Sequence, residues 1–266
     1  MIWLILIIAI AAIYIFLTLP AREGRMEAWK GTLFAHRGLH GGAIAENTPE
    51  AFEAACERGY GIELDVQLSS DGVVMVFHDD TLTRMTGDPR RVEQVSCAEL
   101  KTLSLQGKGS IPTFEEVLAL VNGRVPLLVE LKNGKRNTEL CTKVRDMLRA
   151  YEGRFLVESF NPLIIAWMRK NAPEFVRGQL AGPHNSYKGT VGALTGFVLS
   201  GLLLNCKTRP DFFAYDMNAK VFFAPHIQRR LYKTPMAAWT VRDRAACDRC
   251  IARGEMPIFE NFDPER

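Results

Sequence analysis

Acidic, basic and histidine side chains follow several runs of apolar, strand-forming residues in the first half of the chain. The carboxyl ends of parallel strands meet at one edge of a sheet, so side chains that follow several strands converge on one site. Their recurrence between residues 36 and 132 predicts an enzyme. The segments are His36-Arg37-Gly38, Glu46-Asn47-Thr48, Glu63-Leu64-Asp65, His78-Asp79-Asp80 and Glu130-Leu131-Lys132.

The two-residue repeat of a strand places several of the charged residues on a common face. Glu63 and Asp65 are two residues apart, as are Glu130 and Lys132, and residues two apart in a strand share a face. Three carboxylates and one ammonium group can therefore converge. Oxygen ligands without cysteine suit Mg²⁺ or Ca²⁺ better than zinc. The predicted cofactor is one divalent cation, Mg²⁺ or Ca²⁺.

Two histidines, His36 and His78, also stand at predicted strand ends. An imidazole with a pKa of about 6.5 can accept or donate a proton at neutral pH, so the two form a candidate general acid/base pair. The Arg37 guanidinium has the fork geometry that suits two phosphoryl oxygens. Together with a cation and a lysine, these groups indicate a site for an anionic phosphoryl centre. The other histidines, His40, His184 and His226, are interpreted as structural hydrogen-bonding groups.

The elements that position these groups alternate between strands and helices. β-branched and aromatic residues predict strands over 32–35, 62–68, 73–77, 125–131 and 155–159 and near residue 179. Capping residues predict helices over 49–58, 96–104, 113–121 and 138–150, and one that opens at Asn161-Pro162. This alternation predicts the α/β class, as a somewhat irregular TIM-type (β/α)8 barrel.

Two parts of this pattern are irregular. The stretch from Asp65 to His78 is too short for a normal crossover helix, so an extended segment around Asp71-Gly72 is expected to bring the chain back. Toward the C-terminus nine candidate strands compete for eight places. The competing segments are 211–215, 221–224, 236–241 and 258–259.

The segment from Ile2 to Leu19 contains no charged residue, and about 18 helical residues cross a hydrocarbon core of about 30 Å. We predict a retained single-pass transmembrane helix over residues 1–20, a linker over 21–31 and a barrel domain over 32–266. A buried core helix and a cleaved signal peptide are the alternatives, but Leu19-Pro20-Ala21-Arg22 does not resemble a cleavage site. Basic residues that follow the helix favour a location at the cell membrane with a cytoplasmic catalytic domain.

Composition narrows the partners and the compartment. With 47% hydrophobic residues, 24% charged residues and a net charge of +3, the chain suits one sizeable globular domain and does not indicate a nucleic-acid surface. The six cysteines are interpreted as reduced core residues. Cys247 and Cys250 form a C-x-x-C pattern, which is interpreted as the spacing of two residues on one face of a helix rather than as half of a zinc site. The apolar segment Val191 to Leu204 is either a helix packed on the barrel, which we favour, or a membrane contact.

These motifs carry a family resemblance. The chain resembles the glycerophosphodiester phosphodiesterase family, whose pattern runs H-R-G, E-N-T, E-x-D, H-D, E-x-K, S-F and W-T-V-N on a TIM-type barrel. Its order and spacing recur over residues 33–242, including Ile111-Pro112-Thr113 and Ser159-Phe160. The resemblance implies that Glu63, Asp65 and Glu130 bind the cation, that His36 and His78 are the acid/base pair, that Arg37 and Lys132 hold the phosphate, and that Glu46, Asn47, Ser159 and Trp239 support the site.

The implied reaction is metal-dependent hydrolysis of glycerophosphodiesters to glycerol 3-phosphate and an alcohol. Two alternatives remain: a membrane-associated lipid phosphodiesterase that acts on lysophospholipids, and a catalytically silent membrane-bound binding module. The chain departs from the family where Trp239-Thr240-Val241-Arg242 replaces the usual Asn by Arg242, and where Pro257-Ile258-Phe259-Glu260-Asn261 only distantly matches the usual last strand. These departures concern the substrate end of the pocket, because the residues of the phosphoryl chemistry lie in the first half.

Overall fold

A closed parallel barrel forms the centre of the molecule in a computed structural model, which describes residues 1–21, 24–189, 191–217 and 223–265. Eight of the strands are parallel and close through pairing of the first strand with both the second and the last. The predicted TIM-type barrel is confirmed. The strands are β1 (Phe34–His36), β2 (Gly61–Leu68), β3 (Val74–Val76), β4 (Leu127–Leu131), β5 (Phe155–Ser159), β6 (Arg177–Ala181), β7 (Phe212–Asp216), β8 (Met236–Val241) and β9 (Met256–Phe259).

Helices connect the strands, and several begin where the sequence predicts them. The Thr48 hydroxyl accepts from the Ala51 amide at the start of one helix, and Thr113 and Glu116 form a capping box at another. The helices are α1 (Ile2–Leu17), α2 (Pro49–Glu57), α3 (Thr83–Thr86), α4 (Cys97–Leu100), α5 (Phe114–Val121), α6 (Asn137–Ala150), α7 (Pro162–Asn171), α8 (Ala193–Ser200), α9 (Asn205–Thr208), α10 (Phe223–Ile227) and α11 (Arg244–Ala252).

Alternation along each strand separates the chemistry from the packing. Leu127, Val129 and Leu131 of β4 belong to the core cluster shared with the surrounding helices, whereas Leu128 packs inside the barrel with Phe34. Glu130 lies on the same face of β4 as Leu128, two residues away, and therefore faces the barrel interior. Parallel pairing then aligns Asp65 with Glu130.

The return between Asp65 and His78 follows the predicted extended path. β3 pairs antiparallel with the far end of β2, with Val66 opposite Val76, and Gly72 turns the chain with a φ of +82°. Short helices α3 and α4 complete this side. The predicted helix over 96–104 is thus shorter, since α4 ends at Leu100.

The predicted transmembrane helix over residues 1–20 is not supported. Helix α1 has 16 residues, or about 24 Å at about 1.5 Å per residue, against a hydrocarbon core of about 30 Å. Among the described residues, no helix combines the length and the apolar character that a membrane crossing needs. α1 ends at Leu17, and the next residue, Thr18, is buried and accepts a hydrogen bond from Gln228 on its carbonyl oxygen at 2.7 Å.

The second half of the barrel resolves the competition among candidate strands. Segments 211–215, 236–241 and 258–259 become β7, β8 and β9. The fourth predicted strand, 221–224, is wrong at residues 223 and 224, because Phe223 begins helix α10. Residues 221–222 lie outside the described part of the chain. Cys247 and Cys250 are buried, free cysteines on α11, as the helical interpretation predicts.

The apolar segment from Val191 to Leu204 packs differently from the favoured expectation. Residues 193–200 form helix α8, whose buried residues are the small Gly196 and Ser200, and Leu202 is buried beyond the end of the helix. Leu194 and Phe197 instead remain exposed, at 77% and 55%. The close approach of α8 to the ring of His184 leaves no room for larger side chains at Gly196, where a Cβ would lie 3.2 Å from that ring.

Candidate active site

The predicted site residues meet at the carboxyl ends of the barrel strands. They surround one open cavity of about 550 Å³. Among the predicted residues, His36, Arg37, Glu46, Glu63, His78, Glu130 and Trp239 line this cavity, together with His40, which we had interpreted as structural. Asn47, Asp65 and Lys132 contact these residues directly, whereas Ser159 lies behind the cavity wall.

The three predicted carboxylates form one buried cluster. Each of Glu63, Asp65 and Glu130 offers an oxygen within 4.8 Å of the others. Burial raises the pKa of Glu63 well above its usual value, and Asp65 and Glu130 raise it further. Like charges packed this closely are stabilised by a cation bound between them. The donor set of three carboxylate oxygens therefore fits a divalent cation such as Mg²⁺ or Ca²⁺.

Neighbouring donors hold the carboxylates in place. Lys132 Nζ lies 2.9 Å from Glu130 Oε1 and 3.4 Å from Asp65 Oδ1. Asn47 donates its Nδ2 hydrogen to Asp65 Oδ2 at 2.9 Å. Although burial opposes the charged form, Lys132, His78 and Arg37 hold the pKa of Asp65 below its usual range. Asp65 is thus the ionised member of the cluster.

His36 is held by a carboxylate from the far end of the chain. Its Nδ1 lies 2.6 Å from Glu260 Oε2, and Arg242 binds the other oxygen of Glu260, with its Nη2 at 2.6 Å. The hydrogen bond from His36 lowers the pKa of Glu260 to about 2. An ionised carboxylate only accepts hydrogen bonds, so His36 carries its proton on Nδ1. Burial, with Arg37, lowers the pKa of His36, and this leaves Nε2 as a free base.

His78 has a matching arrangement on the other side of the cluster. Its Nδ1 lies 2.6 Å from Asp79 Oδ1, and Arg84 binds Asp79 through Nε at 2.6 Å. Although burial opposes ionisation, His78 and Arg84 keep the pKa of Asp79 below its usual range. Each histidine therefore directs Nδ1 at a carboxylate, and each carboxylate is held by an arginine.

Arg37 occupies a strained position in the loop after β1. Its backbone has a φ of +57°, in the left-handed region that non-glycine residues rarely adopt. Two bonds hold it there: its amide donates to Glu63 Oε2 at 2.9 Å and its Nη1 to Glu46 Oε1 at 2.7 Å. Arg84 binds the same Glu46 oxygen at 2.6 Å. The loop thus fixes a guanidinium beside the carboxylate cluster.

Gly38 completes this loop, and its replacement tests the loop's rigidity. It has a φ of +79°, and a Cβ there would lie 2.8 Å from the Ala51 Cβ and 2.9 Å from its backbone. We expect Gly38→Ala to lower the free energy of unfolding by about 1–3 kcal/mol, because it combines strain with a clash against α2. Urea unfolding measures the change, with Gly59→Ala as the control, since Gly59 has a φ of +70° but nothing within 4 Å of its Cβ position. Equal losses in both variants would assign the cost to the φ angle alone.

The remaining predicted support residues act in different ways. Ser159 donates to the Leu131 carbonyl oxygen at 2.7 Å and ties the ends of β4 and β5 together. Trp239 lines the cavity and meets the Phe160 ring edge-on, with ring centroids 5.7 Å apart. Together with Leu180 and Ile258, these two rings give the cavity an apolar wall.

Sequence reasoning did not assign four residues that the structure places at the site. Asp79 and Glu260 follow strands, so the signal that found the other carboxylates was available for both. Glu158 is on a strand and has the inward parity of Glu130, its register partner. Arg84 lies on the short helix α3, after His78, and nothing in its spacing indicates a role.

The family model of the glycerophosphoryl diester phosphodiesterase family matches residues 36–262. A glycerophosphodiester phosphodiesterase from Bacillus altitudinis is 39% identical over 154 residues, which cover 53% of this chain and 62% of that protein. A lysophospholipase D from Mus musculus is 32% identical over 45% of this chain and 39% of its own length. The match to the Bacillus altitudinis protein thus spans about three fifths of that protein's length.

Solved structures share the fold. A phosphodiesterase from Oleispira antarctica, in complex with the product sn-glycerol-3-phosphate, superposes with a TM-score of 0.71 at 22% identity and covers 90% of this chain and 96% of its own. A glycerophosphodiester phosphodiesterase from Thermotoga maritima superposes with a TM-score of 0.65 at 26% identity, over 86% of this chain and 93% of its own. Because the family model matches residues 36–262, which include most of the barrel, the chain belongs to the glycerophosphoryl diester phosphodiesterase family.

Proposed function

We propose that the protein hydrolyses glycerophosphodiesters to glycerol 3-phosphate and an alcohol. The observation that carries this proposal is the symmetry of the site: two histidines, each held at Nδ1 by a carboxylate at 2.6 Å, flank one buried carboxylate cluster. Acid/base catalysis of phosphoryl transfer requires two such groups on opposite sides of one phosphorus atom. The names of the Bacillus altitudinis and Thermotoga maritima relatives support the same activity.

The proposed roles follow from the contacts. Glu63, Asp65 and Glu130 would hold one divalent cation, Mg²⁺ or Ca²⁺, which when bound supplies positive charge to the phosphoryl oxygens. Arg37 and Lys132 bind the phosphate group through charge-assisted hydrogen bonds. Glu46, Asn47 and Ser159 support these residues through the bonds described above, and Trp239 forms a wall of the substrate cavity.

The reaction proceeds in two stages. His36 Nε2, neutral because burial lowers its pKa, removes the proton from the 2-hydroxyl of the glycerol unit as this oxygen attacks phosphorus. The bond to the leaving alcohol breaks, and protonated His78 gives its proton to that oxygen. In the second stage water attacks the cyclic phosphate, His78 takes a proton from the water, and His36 returns its proton to the released 2-oxygen. Both histidines end in their starting states.

Glu260 acts on the reaction through His36, and its role can be measured. We expect Glu260→Gln to lower kcat by about a hundredfold, because the imidazole loses the anion that fixes its tautomer. Removal of that anion also lowers the pKa of His36 further. The limb of the kcat/KM profile that requires neutral His36 therefore moves to lower pH. A pH series from 4 to 9 on both proteins, starting about two units below the unperturbed histidine value, reports both effects, and an unmoved acid limb would remove Glu260 from this role.

A lipid phosphodiesterase acting on lysophospholipids is a second candidate. Exposed apolar residues on α8, Leu194 and Phe197, favour it, as does the apolar helix α1, which buries none of its residues. The lysophospholipase D from Mus musculus matches a smaller share of the chain. A silent binding module has weaker support, because a binding module has no need of two carboxylate-bound histidines.

One assay separates these functions. The full chain is incubated with glycerophosphocholine or with lysophosphatidylcholine, and released choline and phosphorylated products are quantified. The proposed function predicts choline and glycerol 3-phosphate from the first substrate. Preferential release of lysophosphatidic acid from the second substrate would favour the lipid enzyme, and no turnover of either would favour the binding module.

We also propose that the protein is located at the cell membrane, with its site on the cytoplasmic side. The support is the exposed apolar surface of α1 and the basic residues Arg25 and Lys30 that follow it, which suit the anionic lipids of the cytoplasmic leaflet. Fractionation of cells that express the full chain or a variant lacking residues 1–17 tests this location. Recovery of the full chain away from the membrane fraction would contradict it.

A further inference from the structure

Glu158 is a carboxyl group at the site for which neither the cation cluster nor the acid/base chemistry has a use. It lies on β5, one strand beyond Glu130, and is its register partner. Only 1% of the residue is exposed, yet it lines the cavity. Its Oε2 atom is buried and has no hydrogen-bond partner among the described residues.

An unpartnered carboxyl oxygen at this depth needs a ligand. Buried polar side chains are nearly always hydrogen-bonded, because an unsatisfied one costs most of its hydration free energy. The nearby side chains of Phe160 and Leu180 are apolar and offer no hydrogen-bond donor to Glu158. The Trp239 indole Nε1 is also buried and has no hydrogen-bond partner within the described part of the chain. This side of the cavity therefore presents polar groups that a bound molecule can satisfy.

The position of the phosphate identifies the part of a substrate that reaches Glu158. Arg37 follows β1 and Lys132 follows β4, so the phosphate binds on the β1–β4 side of the barrel. Glu158 lies next to this side, on β5, before the wall formed by Phe160 and Trp239. In a glycerophosphodiester the 3-oxygen is esterified and the 2-hydroxyl is the nucleophile. The terminal 1-hydroxyl is the group that remains to be bound.

We propose that the Glu158 carboxyl binds the terminal hydroxyl of the substrate's glycerol unit. This inference rests on the proposed function and narrows its substrate class to diesters whose terminal hydroxyl is free. An acyl ester at that position removes the hydroxyl donor. It also places a chain against a side chain that is 1% exposed. Glu158 thus selects against 1-acyl lysophospholipids and in favour of fully deacylated glycerophosphodiesters.

The test removes the terminal hydroxyl from the substrate and the Glu158 carboxyl from the protein, first separately and then together. Glycerophosphocholine is compared with an analogue in which propane-1,2-diol replaces glycerol, so that the nucleophilic 2-hydroxyl is kept and the terminal hydroxyl is lost. We expect the wild-type protein to lose about tenfold to a hundredfold in kcat/KM on the analogue, the range for a hydrogen bond to a carboxyl group. E158L should lose a similar factor on glycerophosphocholine and nothing more on the analogue. E158Q keeps hydrogen-bonding atoms and should restore part of the preference.

Calorimetric titration with Mg²⁺ or Ca²⁺ provides a readout besides activity. Affinity for the cation should fall far less than activity in E158Q, because Glu158 lies outside the three-carboxylate cluster. Equal turnover of the two substrates by the wild-type protein overturns the inference even if E158L does not fold. A fall in cation affinity in E158Q that matches its loss of activity also overturns it. No turnover of any diester overturns the proposed function itself, which is a different result.

Discussion

Replacing His36 or His78 by alanine is expected to lower kcat for phosphodiester hydrolysis by about a hundredfold to ten-thousandfold, the usual contribution of a positioned acid or base. Each imidazole has its Nδ1 bound to a carboxylate at 2.6 Å, so its Nε2 is the atom left for proton transfer. Since we propose that Arg37, Lys132 and the cavity wall bind the substrate, KM should change far less than kcat.

The two histidines should also behave as one unit. When one histidine is missing, the other cannot complete its proton transfer. The kcat of the variant that lacks both His36 and His78 should therefore be little lower than that of the slower single variant. Circular dichroism and thermal unfolding establish that the variants are folded. His226→Ala is the matched control, because His226 is exposed on α10 and away from the cavity. Near-normal activity in either single variant would contradict the assignment.

Removal of the divalent cation is expected to abolish turnover and to lower the thermal stability of the protein. Without a cation, Glu63, Asp65 and Glu130 retain their mutual repulsion in a buried cluster. A bound cation stabilises only the folded state, so stability should rise with its concentration. Full chelation followed by addition of Mg²⁺ or Ca²⁺, read by both turnover and Tm, identifies the preferred ion. Activity that survives full chelation would remove the cation from the reaction.

Glu63→Gln separates stability from activity. The folded protein raises the pKa of Glu63 above its unfolded value, so this residue favours folding while protonated and loses that contribution as pH rises through the folded pKa. At neutral pH without a cation, the variant should therefore be more stable than the wild type. It should also lose activity and most of the Tm increase that the cation produces. A lower Tm for the cation-free variant would show that the carboxylate repulsion is already relieved in the wild type.

Much of the site could be predicted from the sequence because its geometry is local. The parity of Glu63 with Asp65, and of Glu130 with Lys132, follows from the two-residue repeat of a strand, and the structure places these residues together. Similarly, capping residues such as Thr113 determine where a helix begins. The short return after Asp65 could be predicted from chain length alone, and it is β3 that makes it.

Other features depend on contacts that no local pattern reports. The partner of His36 is Glu260, 224 residues away, and the two meet only because β9 pairs with β1. The end of α1 depends on bonds from Thr18 to residues near the C-terminal half of the barrel. The orientation of α8 depends on the small residues that pack against His184. In each case tertiary contacts decide an outcome that composition leaves open.

Closure of the barrel also determines when the site comes into existence during synthesis. The ribosome completes the strands that carry Glu63, Asp65 and Glu130 when roughly half of the chain has been made. His36, the proposed base, stays without its orienting carboxylate until β9 and Glu260 have emerged and joined β1. A nascent or C-terminally clipped chain thus has the cation ligands without a positioned base. Under the proposed function, catalysis would begin only when the two ends of the barrel sequence are joined, so that activity would report a closed barrel.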